Sequence, residues 1–127
     1  MKSQNAVLKI LVVDDAPFIR EIVRQILLDQ DKYIVIGEAV NGLDAIEKAV
    51  ELKPDLIFMD IVMPEMSGIK ATEEILKLDP SVKIIAFTTM DSSSIQKQAL
   101  KAGCRGFLKK PFSKKDFLNY LLKMEHA

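Results

Sequence analysis

The chain has 127 residues, about half of them hydrophobic, and its 18 basic and 18 acidic side chains leave a formal net charge of zero. That is enough chain for one compact domain with one core, and the composition excludes a disordered or fibrous protein. No apolar run reaches the length that spans a bilayer, and no signal-type hydrophobic stretch follows residues 1–5.

Strand-like and helix-like runs alternate along the chain. Leu8–Val13 is short, β-branched and nearly all apolar, as a strand buried on both faces should be. Phe18, Ile19, Ile22, Val23, Ile26 and Leu27 then form a helical stripe, with Arg20, Glu21, Arg24 and Gln25 opposite. Residues 33–37 read as a second strand, followed by a shorter helical stripe of Ile46, Ala49 and Val50. Residues 56–59 make a third strand, before a helix carrying Ile69, Thr72, Ile75 and Leu76. Residues 82–87 make a fourth, before a thin stripe of Ile95, Ala99 and Ala102. A weaker fifth strand over 106–108 precedes a last helix with Phe117, Leu118, Leu121 and Leu122. Ser67 and Ser113 stand at N-cap positions, and Ser113 has capping-box spacing to Asp116. Pro54 and Pro80 fall in the turns that enter strands three and four, where a missing N–H is tolerated.

Five strands alternating with five helices imply one α/β domain, a doubly wound (βα)5 unit with a parallel sheet and right-handed crossovers. The domain spans 1–127 with its core over about 8–124, and the final residues read as a natural ending. The single Cys104 allows no internal disulfide; it reads as a small buried filler in a protein of the reducing cytoplasm.

In such sheets ligands bind outside the carboxyl ends of the strands. Strand one runs into Asp14-Asp15, strand three into Asp60, strand four into Thr88-Thr89 and strand five into Lys109-Lys110-Pro111. Each residue has a plain structural alternative: Asp15 as the cap of a helix begun by Pro17, Thr88 as a strand residue, Lys110 as a solvated charge. Asp60 is harder to explain that way, because no helix follows it at once. Together, three carboxylates, a hydroxyl and an ammonium would share one edge. The carboxylates would repel one another unless a cation is present, and hard oxygen ligands suit Mg²⁺ with open positions for a phosphoryl oxygen. The set fits phosphoryl chemistry with a carboxylate nucleophile.

Residues 12–15, 59–68, 85–89 and 109–112 resemble the motifs of the receiver domain of two-component response regulators, nearest the stand-alone chemotaxis type, and the resemblance runs over about 9–124. It implies a flavodoxin-like sheet of order 2-1-3-4-5, an order the pattern alone does not give. It also implies Asp60 as the phosphorylated residue and Mg²⁺ held by Asp15, Asp60 and the backbone carbonyl of Val62, with Asp14 acting directly or through water. Lys110 would pair with the phosphoryl group, before a cis bond to Pro111. Thr88 would be the switch hydroxyl and Phe107 the aromatic side chain that follows it. The donor implied is a histidine kinase, or a small acyl phosphate, and the output is a changed surface on helix four, strand five and helix five. A phosphorelay intermediate, or a regulator outside motility, is the alternative reading.

Charge is unevenly spread. Residues 1–90 carry 15 acids against 10 Lys or Arg, and residues 91–127 carry 3 against 8. The basic excess is either a solvated face or a dock for an acidic partner, such as a segment of a flagellar motor switch. Val62 and Met90 are apolar where the family often has polar side chains beside the path of the hydrolytic water, so a slow loss of the phosphoryl group is expected. Phe107 also lacks the hydroxyl of the tyrosine often found at its position. Rival readings fit less well. A phosphatase with an aspartate nucleophile needs a general acid where Val62 stands, and a flavin mononucleotide carrier needs a phosphate cradle where the acidic Asp14-Asp15 stands. An interaction domain with an idle pocket would not need the complete acidic set. Direct DNA binding is not expected, since no helix-turn-helix follows the fifth helix. The chain is expected to be a monomeric phospho-acceptor, not an enzyme that turns over a separate substrate.

Overall fold

The computed structural model describes residues 7–63, 66–89 and 92–125. Strands and helices alternate without exception: β1 Leu8–Val13, α1 Pro17–Leu27, β2 Tyr33–Ala39, α2 Gly42–Leu52, β3 Leu56–Asp60, α3 Gly68–Leu78, β4 Lys83–Thr88, α4 Ser93–Ala102, β5 Gly106–Lys109 and α5 Lys114–Glu125. All strand pairs are parallel, and the sheet order is β2-β1-β3-β4-β5. The expected architecture and strand order are therefore both present.

Alternation along the strands divides the core between the two faces of the sheet. Ile10, Val12, Phe58, Ile85 and Phe87 pack with Val23 and Ile26 of α1 and Phe117 and Leu121 of α5. Leu11, Val13, Ile57, Met59 and Ile84 pack on the other side with Ala45 of α2, Ala71 and Ile75 of α3 and Ala99 of α4. The Phe58 and Phe117 rings lie 4.6 Å apart by centroid, joining β3 to α5. All five residues of β3, Asp60 included, are buried.

Strand ends differ from the sequence-based expectation where polar residues carry the ladder onward. β2 runs on to Ala39, β3 includes Asp60, β5 includes Lys109, and β4 is shifted to Lys83–Thr88. β2 is a half-exposed edge strand, not one buried on both faces.

The helical stripes also need correction. Phe18 is 72% exposed, and Val50 and Leu122 are exposed as well, because each falls at the rim of its helix's buried stripe. Ser67 accepts from the Lys70 N–H, and Ser113 with Asp116 forms the reciprocal capping box. Two further caps were not expected from the sequence: Asn41 accepts from Asp44 N–H and Ser92 from Ile95 N–H.

Candidate functional site

The site is built from residues at the carboxyl ends of β1, β3, β4 and β5. Asp14, Asp60, Thr88 and Lys110 are all buried polar residues, whereas Asp15 points toward solvent. Carboxylate oxygens of Asp14, Asp15 and Asp60 lie within 4.8 Å of one another. The central position of β3 accounts for the burial of Asp60, and a glycine accounts for the closeness of the next helix. A Cβ at Gly68 would stand 2.1 Å from the Asp60 carbonyl oxygen, so only glycine lets α3 begin this near the end of β3.

Asp15 does not cap α1. The N-cap is Ala16, with Pro17 as the first helical residue, and the Ala16 N–H is taken by Asp14 Oδ1 at 2.9 Å. This leaves Asp15 outside the helix and beside the other two acids. Asp14 Oδ2 receives a hydrogen bond from Lys110 Nζ, which also stands 3.5 Å from Asp60 Oδ2. The ammonium lies 4.9 Å from the centre of the Phe87 ring, a cation–π contact that helps hold a buried lysine. The Lys110 N–H bonds the Thr88 carbonyl at 2.9 Å, and the Lys110–Pro111 peptide is cis.

Asp60 Oδ1 accepts the Val62 N–H at 3.0 Å. Burial nevertheless pushes the carboxyl up to about 6; the Val62 N–H and Lys110 pull it down, and the Asp14 and Asp15 charges raise it further. Val62 sits just beyond β3 with its side chain 51% exposed, so only its backbone is well placed to serve the pocket. Thr88 ends β4 next to the Phe87 that pairs with Asp60. Phe107, on β5, pairs with Ala86 and packs half-buried against the α2–α3–α4 side of the core. Every site residue singled out in the sequence except Phe107 therefore belongs to one edge, and Phe107 lies within β5, three residues before Lys110. Met90 lies outside the described residues.

Two side chains near this edge were not legible. Tyr120 Oη accepts the N–H of Phe107 at 2.5 Å, tying β5 to α5. Arg20 donates to the Asp14 carbonyl at 2.7 Å. Neither residue type signals such a contact, and nothing in the local sequence names the partner.

The receiver domain profile of response regulators matches residues 10–122. The chain belongs to the response regulator receiver domain family. This receiver is 48% identical over 104 residues to the chemotaxis protein CheY of Thermotoga maritima, an alignment spanning 82% of this chain and 86% of the relative. The response regulator domain of T. maritima CheB superposes with a TM-score of 0.85 at 36% identity, covering 95% of this receiver and 96% of that domain. A chain of the CheX–CheY–BeF₃–Mg²⁺ complex from Borrelia burgdorferi superposes with a TM-score of 0.88 at 25% identity, covering 94% and 90%. The acidic trio of this receiver is a donor set of the kind that Mg²⁺ takes: few carboxylates, hard oxygens and one ligand open to water. Among the described residues no helix is long and apolar enough to cross a membrane.

Proposed function

We propose that the receiver is a phosphorylation-driven switch whose acceptor is Asp60, with a histidine kinase as donor and chemotaxis as the process served. The observation that carries this reading is the buried Asp60 carboxylate set between two further acids and the Lys110 ammonium. An Asp60 oxygen attacks phosphorus on the donor histidine; the new P–O bond forms as the P–N bond breaks, and the imidazole keeps the electron pair and takes up a proton. Small acyl phosphates can also serve, the P–O bond to the acyl oxygen then breaking as a carboxylate leaves with the electron pair. Mg²⁺ held by Asp15, Asp60 and the Val62 carbonyl, with Asp14 directly or through water, would neutralise charge on the transferring group. Lys110 supplies the fixed cation that meets a phosphoryl oxygen, and Thr88 supplies the hydroxyl. Asp60 keeps the phosphoryl group after the transfer, and no carboxylate stands at Val62 to act as a general acid. This supports a phospho-acceptor, not a turnover enzyme.

The output arises from the new anion. Thr88 and Lys110 gain a partner, the end of β4 moves, and Phe107 shifts on β5, biasing a two-state surface formed by α4, β5 and α5. That face holds Lys97, Lys101, Arg105, Lys109, Lys115 and Lys123, which suits an acidic partner such as a motor-switch segment, whereas Lys114 is drawn to Asp29 just past α1. The Borrelia CheY relative in complex with CheX supports a protein partner. A second reading, a relay intermediate or a regulator outside motility, draws support from the comparable likeness to the CheB response regulator domain. We place the protein in the cytoplasm, as a monomer.

Amide chemical shifts with Mg²⁺ and beryllofluoride test the switch. Shifts are expected at Thr88, Phe107 and along α4, β5 and α5, and Thr88→Ala should confine them to the pocket. Wild-type shifts limited to the pocket would sink the switch. Charge reversal at Lys101 and Lys115 should weaken an acidic partner at low salt; unchanged affinity would remove the docking proposal.

A further inference from the structure

Arg20 lies on α1 with a side chain only 14% exposed, although it carries a full charge. Its guanidinium bridges two acceptors: Nη1 donates to the Asp14 carbonyl at 2.7 Å, and Nε donates to Glu38 Oε1 at 2.9 Å. Glu38 is itself held. Its second carboxylate oxygen takes Arg24 at 3.3 Å, and its backbone carbonyl takes Lys48 Nζ at 2.6 Å from α2. The Asp14 N–H, meanwhile, bonds the carbonyl of the next residue, Ala39, at 3.0 Å. The end of β2 therefore holds the Asp14 backbone twice, directly through Ala39 and by way of Arg20 through Glu38.

The Asp14 carbonyl belongs to the peptide that joins Asp14 to Asp15. Its orientation fixes the direction in which Asp15 leaves the strand, and Asp15 is the acid of the trio most open to solvent. A guanidinium holds two acceptors in one plane at fixed angles, whereas an ammonium is a point charge that fixes no such angle. An unbalanced cation there would also oppose a divalent ion nearby. Glu38 removes that opposition while keeping the geometry.

We propose that Arg20, charge-balanced by Glu38, is a positioning residue that sets the Asp14–Asp15 turn for divalent-cation binding. The inference rests on the reading that the acidic trio holds Mg²⁺. Titration calorimetry with MgCl₂ on the full chain, run beside thermal unfolding without metal, tests it.

Arg20→Lys and Arg20→Ala should each weaken Mg²⁺ about tenfold, as loss of groups that orient metal ligands commonly does. Glu38→Gln keeps an acceptor for Arg20 but unmasks its charge, and should weaken Mg²⁺ by about threefold. Acyl-phosphate uptake should need correspondingly more Mg²⁺ but reach the wild-type rate at saturation, because Arg20 touches neither Asp60 nor Lys110. If both Arg20 variants lose thermal stability yet bind Mg²⁺ within about twofold of wild type, Arg20 is structural only and the proposal fails. If Arg20→Ala does not fold, Arg20→Lys and Glu38→Gln decide. Wild type that binds no Mg²⁺ would instead overturn the reading of the trio.

Discussion

Lys110 hydrogen-bonds Asp14 while its ammonium stands only 3.5 Å from Asp60 Oδ2. One buried cation thus serves two buried acids. Deleting it should separate stability from metal binding. Lys110→Met leaves Asp14 and Asp60 without their cation, a change that costs about 3–5 kcal/mol when a buried pair is broken. The same variant removes a competing positive charge, so it should bind Mg²⁺ more tightly than wild type. Urea unfolding in chelator and a Mg²⁺ titration check the two halves; equal stability with weaker Mg²⁺ binding would contradict the pairing.

The Asp60 carboxyl gives a pH dependence with a definite sign. Burial raises it from 3.8 to about 6 in the fold, so its protonated form favours the folded state. Its contribution to stability is fully present below about 4 and is lost as pH rises through about 6. Asp60→Asn keeps an acceptor for the Val62 N–H without the charge. The variant should be more stable than wild type by about 1–3 kcal/mol at about pH 7.5 in metal-free buffer, with the gap closing toward about pH 4. Urea unfolding at the two pH values measures it.

Tyr120 closes an edge. β5 is the last strand of the sheet, and the Tyr120 hydroxyl accepts the Phe107 N–H. Tyr120→Phe should cost about 1 kcal/mol and speed amide hydrogen exchange at Phe107 while leaving exchange in β1 and β3 unchanged. Unaltered exchange at Phe107 would mean that the bond is not formed in solution.

The side chain of Val62 offers no polar atom to orient water at the mouth of the pocket, where it is 51% exposed. The phosphorylated protein should therefore lose its phosphoryl group slowly, as followed by intact mass after removal of the donor. A lifetime of seconds without a phosphatase would contradict this.

Much of the fold and site was legible in the sequence for physical reasons. Strands buried on both faces, such as β3, must be continuous apolar runs, and the acids just beyond them can only gather at the carboxyl edge. Serines 67 and 113 announce their helices because capping is local. Long-range or rim effects were not legible. Phe18 and Val50 satisfy a helical period yet face solvent, because periodicity does not say how wide the buried stripe is. The half-exposed state of β2 reflects strand order, which the resemblance supplied and the periodicity did not. Asp15 was open to reading as a cap until the Asp14 carboxylate proved to take the Ala16 N–H. The contacts of Arg20 and Tyr120 depend on partners that only the fold brings near. Asn41, three residues before Asp44, did carry a readable cap spacing.

The central claim, that Asp60 receives the phosphoryl group, is tested most directly by intact mass after incubation with Mg²⁺ and a small acyl phosphate. Wild type should gain one phosphoryl group, about 80 Da, and Asp60→Asn should gain none. An equal gain in both proteins would place the phosphoryl group elsewhere and contradict the account.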